Sequence, residues 1–298
     1  MNANSLKGVF VPLATAFNNS GAVDVSTMRK LTKFVVDNGV RGVMPAGSTG
    51  EFFGLNKKDR KILLEAVLSE AQGKIPVYAG TGAVTTREVI ELTKQAEEIG
   101  ADGVLILTPF YIMPSQEDLY EHYVRIANNT SLPVIVYSNP GRTGGVCPAP
   151  ETVLKLSRIE NIVGLKDSSG NLALTAEYIR QTEDGDFCVL MGQDKLFFAG
   201  LMHGCTALVA ATANVAPKLV VELYDAYVNK SFERCLHLQK KVTLLRDGFE
   251  CLPFPVAAKA LIKMVGIDVG PPRAPLGLGR ELSSEELKKL KKIIEEVS

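Results

Sequence analysis

Lys166 closes the apolar run Asn161-Ile162-Val163-Gly164-Leu165, and a polar turn, Asp167-Ser168-Ser169-Gly170, follows it. A lysine at the exit of a core strand is either a snorkelling surface cation or an amine set to do chemistry. Tyr137 closes another apolar run, PVIVYS, and Ser48 and Thr49 lie in GSTGE after a third. Together these are the parts of amine-based covalent catalysis. A neutral lysine amine attacks a ketone to form an imine, and the protonated imine then acts as an electron sink. Partial burial among Val163 and Leu165 is expected to favour the neutral amine. Tyr137 can give and take protons, with Thr49 as a relay; its competing reading is a core aromatic with a solvated hydroxyl. GSTGE reads either as a helix-entry turn or as a nest of backbone N–H groups for a carboxylate. Arg142, in NPGRTGG, reads as a loop surface charge or as a carboxylate clamp.

The elements that must position these residues repeat along the chain. Continuous apolar runs occur at 8–15, 41–47, 76–82, 102–109, 133–140, 161–166, 187–193 and 206–212. Runs without alternation suit parallel strands covered on both faces. Helical patterns separate them. Met28, Leu31, Phe34 and Val35 share one face; Val89, Leu92, Ala96 and Ile99 form another, begun by Thr85 and Glu88 at capping-box spacing and stopped by Gly100. Asn56 is placed to cap a third helix, which carries Leu63 and Val67. A helix-ending glycine leads quickly into a strand at Gly39, Gly100 and Gly204. The expected fold class is therefore α/β, a (β/α)8 TIM barrel, in which the site forms at the carboxyl ends of the strands. An open doubly wound sheet is the alternative, but no GxGxxG follows the first strand. After residue 228 only helical patterns remain, the last begun by Ser283 and Glu286. The expected division is a catalytic barrel over 1–228 and a helical domain over 229–298.

The chain has 298 residues, 33 of them basic and 33 acidic. That balance offers nothing to nucleic acid or to an acidic membrane. No apolar run is long enough to span a bilayer, and the first residues make a poor secretory signal. The five cysteines include no CxxC pair, which suits reduced thiols in a cytoplasmic protein. His122, His203 and His237 are not spaced as zinc ligands, and all three are expected at the surface or at helix ends. No metal site is expected.

Taken in order, GSTGE (47–51), YSNPGRTG (137–144), GLKDSSGN (164–171) and TANVAP (212–217) resemble the dihydrodipicolinate synthase / N-acetylneuraminate lyase family, and GPPRAPL extends the likeness into the tail. The resemblance implies a class I pyruvate-dependent synthase, aldolase or lyase without a cofactor. Lys166 matches its Schiff-base lysine and Tyr137 its proton-shuttling tyrosine. Ser48 and Thr49 match the pair that binds the pyruvate carboxylate and continues the relay. Tyr111, in TPFYIMP, matches a tyrosine that completes the neighbouring subunit's relay, and Val209 a backbone carbonyl near the bound keto acid. A homotetramer built as a dimer of dimers is implied. Arg142 matches the arginine with which the synthase branch holds the carboxylate of aspartate semialdehyde. Ser48 stands where that branch usually has threonine, and Ser138, Phe110 and Ile112 also depart from it. The alternatives are cleavage of a 2-keto-3-deoxy sugar acid, 4-hydroxy-2-oxoglutarate or N-acetylneuraminate to pyruvate and an aldehyde, and, from another class, a keto-acid-binding protein without turnover.

Overall fold

Each of the eight apolar runs holds a strand, in seven cases shorter than the run and lying within it, and in the run 161–166 a strand of equal length displaced by one residue. The structure, a computed structural model, describes residues 6–277 and 282–297. The strands are β1 (Gly8–Val11), β2 (Gly42–Val43), β3 (Tyr78–Gly80), β4 (Gly103–Leu107), β5 (Val134–Ser138), β6 (Ile162–Asp167), β7 (Cys188–Met191) and β8 (Ala207–Val209). They pair in parallel in the order β2-β1-β8-β7-β6-β5-β4-β3. A parallel bridge between Val43 and Val77 joins the two ends of this order, so the sheet curls into a barrel.

The period of two along each strand divides the core into two layers. Phe10, Met44, Tyr78, Leu105, Leu107, Ile135 and Tyr137 form the inner cluster. Val104, Ile106, Val134 and Val136 belong to the outer one, which they share with helix residues. The helices are α1 (Val25–Asp37), α2 (Lys57–Ala71), α3 (Thr86–Ile99), α4 (Gln116–Ala127), α5 (Pro150–Leu156), α6 (Leu172–Thr182), α7 (Phe197–Met202) and α8 (Pro217–Val228), one after each strand.

Local chemistry sets their ends. Asn56 accepts from Asp59 N (2.9 Å) while Asp59 accepts from Asn56 N (3.3 Å), a reciprocal cap on α2. Thr85 accepts from Glu88 N (3.2 Å), a one-sided cap where the spacing suggested a reciprocal one. Gly39, Gly100 and Gly204 take φ of 85°, 97° and 105°, the left-handed turn that a Cβ would disfavour.

Three further helices follow: α9 (Phe232–Glu250), α10 (Phe254–Met264) and α11 (Ser284–Val297). α9 buries Cys235, Leu238, Val242, Leu245 and Phe249 at helical spacing. Among the described residues no helix is long and apolar enough to cross a membrane, and no cluster of three His, Cys, Asp or Glu side chains is placed for a metal.

His122 departs from expectation. It is buried, with Nδ1 2.9 Å from Thr86 Oγ1, rather than at the surface. Leu119, His122, Tyr123 and Ile126 lie on one face of α4, and that face packs inward. Burial pushes the imidazole down to about 4, so it is held neutral.

Candidate active site

A cavity of about 420 Å³ opens among the strand ends, and Lys166, Tyr137, Ser48, Thr49, Val209 and Arg142 all line it. Lys166 is only 4% exposed, with Nζ 3.8 Å from the centre of the Tyr137 ring. Its facing depends on a bulge. Val134 pairs with Ile162, but Ile135 already pairs with Gly164, so Val163 is an extra residue. Strict alternation from Ile162 would turn Lys166 outward, with the Val134 side. The inserted residue reverses the alternation and sets Lys166 beside Tyr137 on the inner face. Gly192, at the end of the next strand, leaves the lysine its room. A Cβ there would collide with Ser168 Oγ and come within 2.9 Å of Asp167 O and 3.0 Å of Lys166 Cε.

The Tyr137 hydroxyl accepts from Asn139 Nδ2 (2.8 Å) and lies 3.5 Å from Ser48 Oγ. Burial alone would push this phenol up. The charge of Lys166, with hydrogen bonds from Ser48, Asn139 and Ser168, outweighs burial and brings it down to about 8. The hydroxyl beside Tyr137 is that of Ser48, one of the two residues expected to continue the relay. Thr49 is buried in the same turn. Thr15 Oγ1 ties that turn to β1 by donating to Gly50 O (2.6 Å), and Ala46 and Glu51 bracket it in left-handed conformations (φ 58° and 55°).

Arg142 sits on the turn after β5, exposed, with Cζ 4.8 Å from the centre of the Phe254 ring. Val209 is buried on β8. Tyr111 is not brought to this cavity: it is 93% exposed, at φ 75°, on the loop after β4.

Two lining residues, Arg246 and Phe254, come from the helices after the barrel. Arg246 donates to Asp194 Oδ2 (3.2 Å) and Glu250 Oε1 (2.9 Å), and its Cζ lies 5.0 Å from the same Phe254 ring. Sequence reasoning gave neither residue a role. Arg246 shows only the i,i+4 spacing to Glu250 of a solvated helix face, so nothing local sets it apart. Asn139, two residues beyond Tyr137, likewise lies in a turn whose sequence alone does not mark it as the phenol's partner.

The model of the dihydrodipicolinate synthetase family matches residues 5–297. The chain is 38% identical over 291 residues to the 4-hydroxy-tetrahydrodipicolinate synthase of Methanopyrus kandleri, covering 96% of each protein. It is 39% identical over 287 residues to the Syntrophus aciditrophicus protein of the same name, covering 95% of this chain and 97% of that one. A crystal structure of dihydrodipicolinate synthase from Bacillus anthracis superposes with a TM-score of 0.93 at 33% identity, over 98% of this chain and 99% of the other. The likeness runs the length of the chain, barrel and tail alike, and the chain belongs to the dihydrodipicolinate synthetase family.

Proposed function

We propose that this enzyme condenses pyruvate with aspartate semialdehyde through an imine on Lys166, the reaction of a 4-hydroxy-tetrahydrodipicolinate synthase. The observation that carries the reading is the buried Lys166 amine, 3.8 Å from the Tyr137 ring inside the cavity. Lys166 first gives up a proton; its Nζ electron pair then attacks the keto carbon of pyruvate, and the adduct loses water to give the imine. A methyl proton then leaves, and its electron pair flows into the imine to form an enamine. The enamine carbon attacks the aldehyde carbon, and the aldehyde oxygen takes up a proton. The amino group of the semialdehyde then attacks the imine carbon, closing the ring and displacing Lys166 Nζ, which takes up a proton and is regenerated. Tyr137, brought to about 8, can both hold and release a proton near neutral pH. In this reading Ser48 and Thr49 hold the pyruvate carboxylate, and Ser48 continues the proton relay. The Val209 carbonyl lies near the bound keto acid, and Arg142 takes the carboxylate of the semialdehyde.

Tyr111 serves the relay of a neighbouring subunit, and its exposure supports that role. A homotetramer built as a dimer of dimers, a cytoplasmic location, cofactor-free chemistry and the division at residue 228 belong to the same reading. A second reading, retro-aldol cleavage of a keto-deoxy acid, draws support from Ser168 and Gln193, polar lining groups suited to hydroxyls.

Borohydride reduction in the presence of pyruvate is expected to add one pyruvyl unit to Lys166, and Lys166→Met to abolish the adduct. Absence of that mass from the wild type would remove both readings. Pyruvate consumption that depends on the semialdehyde supports the synthase; pyruvate release from a keto-deoxy acid supports the lyase.

A further inference from the structure

The cavity contains a cation that this mechanism leaves unused. Arg246 enters from α9, its side chain only 13% exposed. Nη1 donates to Asp194 Oδ2, and Nε donates to Glu250 Oε1. Asp194 is itself fixed, accepting from Thr212 N (2.9 Å) and Thr212 Oγ1 (2.7 Å). The Phe254 ring supports the guanidinium as well. Held on these sides, the guanidinium is pre-organised, and less entropy is lost per new hydrogen bond. Its Nη2 donors have no protein partner among the described residues.

Arg142 lies over the same ring and has no carboxylate partner among the described residues. Two guanidinium groups from distant parts of the chain, a barrel loop and the helical tail, therefore share one phenyl ring at the cavity. The charged side chains lining the cavity are Arg142, Lys166 and Arg246 against Asp194 alone. A purely structural arginine, present to neutralise Asp194, would require neither the open donors nor the second cation beside it.

We infer that Arg246 is a specificity-determining residue that joins Arg142 in seating the distal carboxylate of the second substrate. The inference rests on the imine reading above, which leaves Ser48 and Thr49 to the keto acid. The site then selects aldehydes ending in a carboxylate, or, in the cleavage direction, keto-deoxy acids with a second carboxylate. Two guanidinium groups can supply parallel charge-assisted N–H bonds to both oxygens, a geometry one ammonium cannot copy.

The test compares kcat/KM for succinate semialdehyde with that for butyraldehyde, a neutral aldehyde of equal length, both with pyruvate. In Arg246→Met the preference for the carboxylate is expected to fall at least about tenfold, through KM, as for loss of a charge-assisted contact. Arg246→Lys should recover part of it. Removing the arginine leaves Asp194 buried without its cation, so Arg246→Met/Asp194→Asn is measured alongside. An equal fall for both aldehydes, an unchanged preference in the single and double variants, or a wild type without carboxylate preference would each overturn the inference. A wild type that traps no pyruvate at Lys166 fails the imine reading instead, so the two failures are told apart.

Discussion

Tyr137 is a phenol under opposing influences, and the balance depends on one neighbour. Burial raises it, while the Lys166 cation and three hydrogen bonds lower it to about 8. An unfolded tyrosine titrates near 10. Between those values the unfolded state holds the proton that the folded state has released, so stability rises with pH across that window. Below about 8 both states are protonated and the contribution vanishes. Ultraviolet titration of the wild type should show a phenolate component with a midpoint near 8 that is missing in Tyr137→Phe. In Lys166→Met the same component should move upward, since burial then acts without the cation. A midpoint that stays put in Lys166→Met would mean that the amine does not act on the phenol, and the pairing at the centre of the proposed mechanism would fail.

At the scale of elements, the strand that presents the amine was legible and the direction of the amine was not. Apolar continuity located β6, and the run NIVGLK ends within a residue of it. The alternation that would aim Lys166 is counted from the pairing with β5, and that pairing contains an extra residue. A bulge is a property of two strands, so neither run shows it alone. Helix ends were more readable, because a cap lies within four residues of what it caps: Asn56 and Gly100 act where their types and spacing placed them.

His122 shows the converse. Its stripe with Leu119, Tyr123 and Ile126 was present in the sequence, but a polar residue beside an apolar face was assigned to solvent. Its burial between α3 and α4 has a measurable consequence. The folded imidazole titrates at about 4 and an unfolded one near 6.5. As pH falls through that interval the unfolded state takes up a proton that the folded state refuses, so stability drops. Thermal melts of the wild type should therefore fall more steeply between pH 6.5 and pH 4 than those of His122→Asn. Parallel curves would show that this histidine titrates alike in both states.

Across the whole molecule, the helical tail is tied to the loop that carries Ser48 and Thr49. Glu51, the last residue of GSTGE, is fully buried. Its Oε1 lies 2.8 Å from Lys259 Nζ of α10, an ion pair in distance though not aligned as a hydrogen bond. Its Oε2 accepts from Arg273 N (2.8 Å). Lys259 donates to Pro271 O (2.9 Å), and the Arg273 guanidinium reaches Gly21 O, Gly54 O and Asp59. Both cations lie over the Phe17 ring, at 4.2 and 4.3 Å. Arg273 lies 222 residues from Glu51 in sequence, so no local spacing in the GPPRAPL stretch marks the contact.

A buried ion pair of this kind adds little net stability over an apolar pair, but breaking it leaves a carboxylate without its cation in a dry interior. Lys259→Met should therefore destabilise by about 3–5 kcal/mol. Glu51→Gln/Lys259→Met, which removes both charges, should lose clearly less than the two single variants summed. Urea unfolding of the three variants measures this coupling. If the losses simply add, the two charges do not sense each other. The tail would then be held to the catalytic loop by apolar packing and the Arg273 bonds alone. Coupling should also reach the chemistry, because the strained turn at Glu51 is continuous with Ser48. Lys259→Met is expected to raise the KM for pyruvate more than it lowers kcat, as loss of positioning at the carboxylate seat requires.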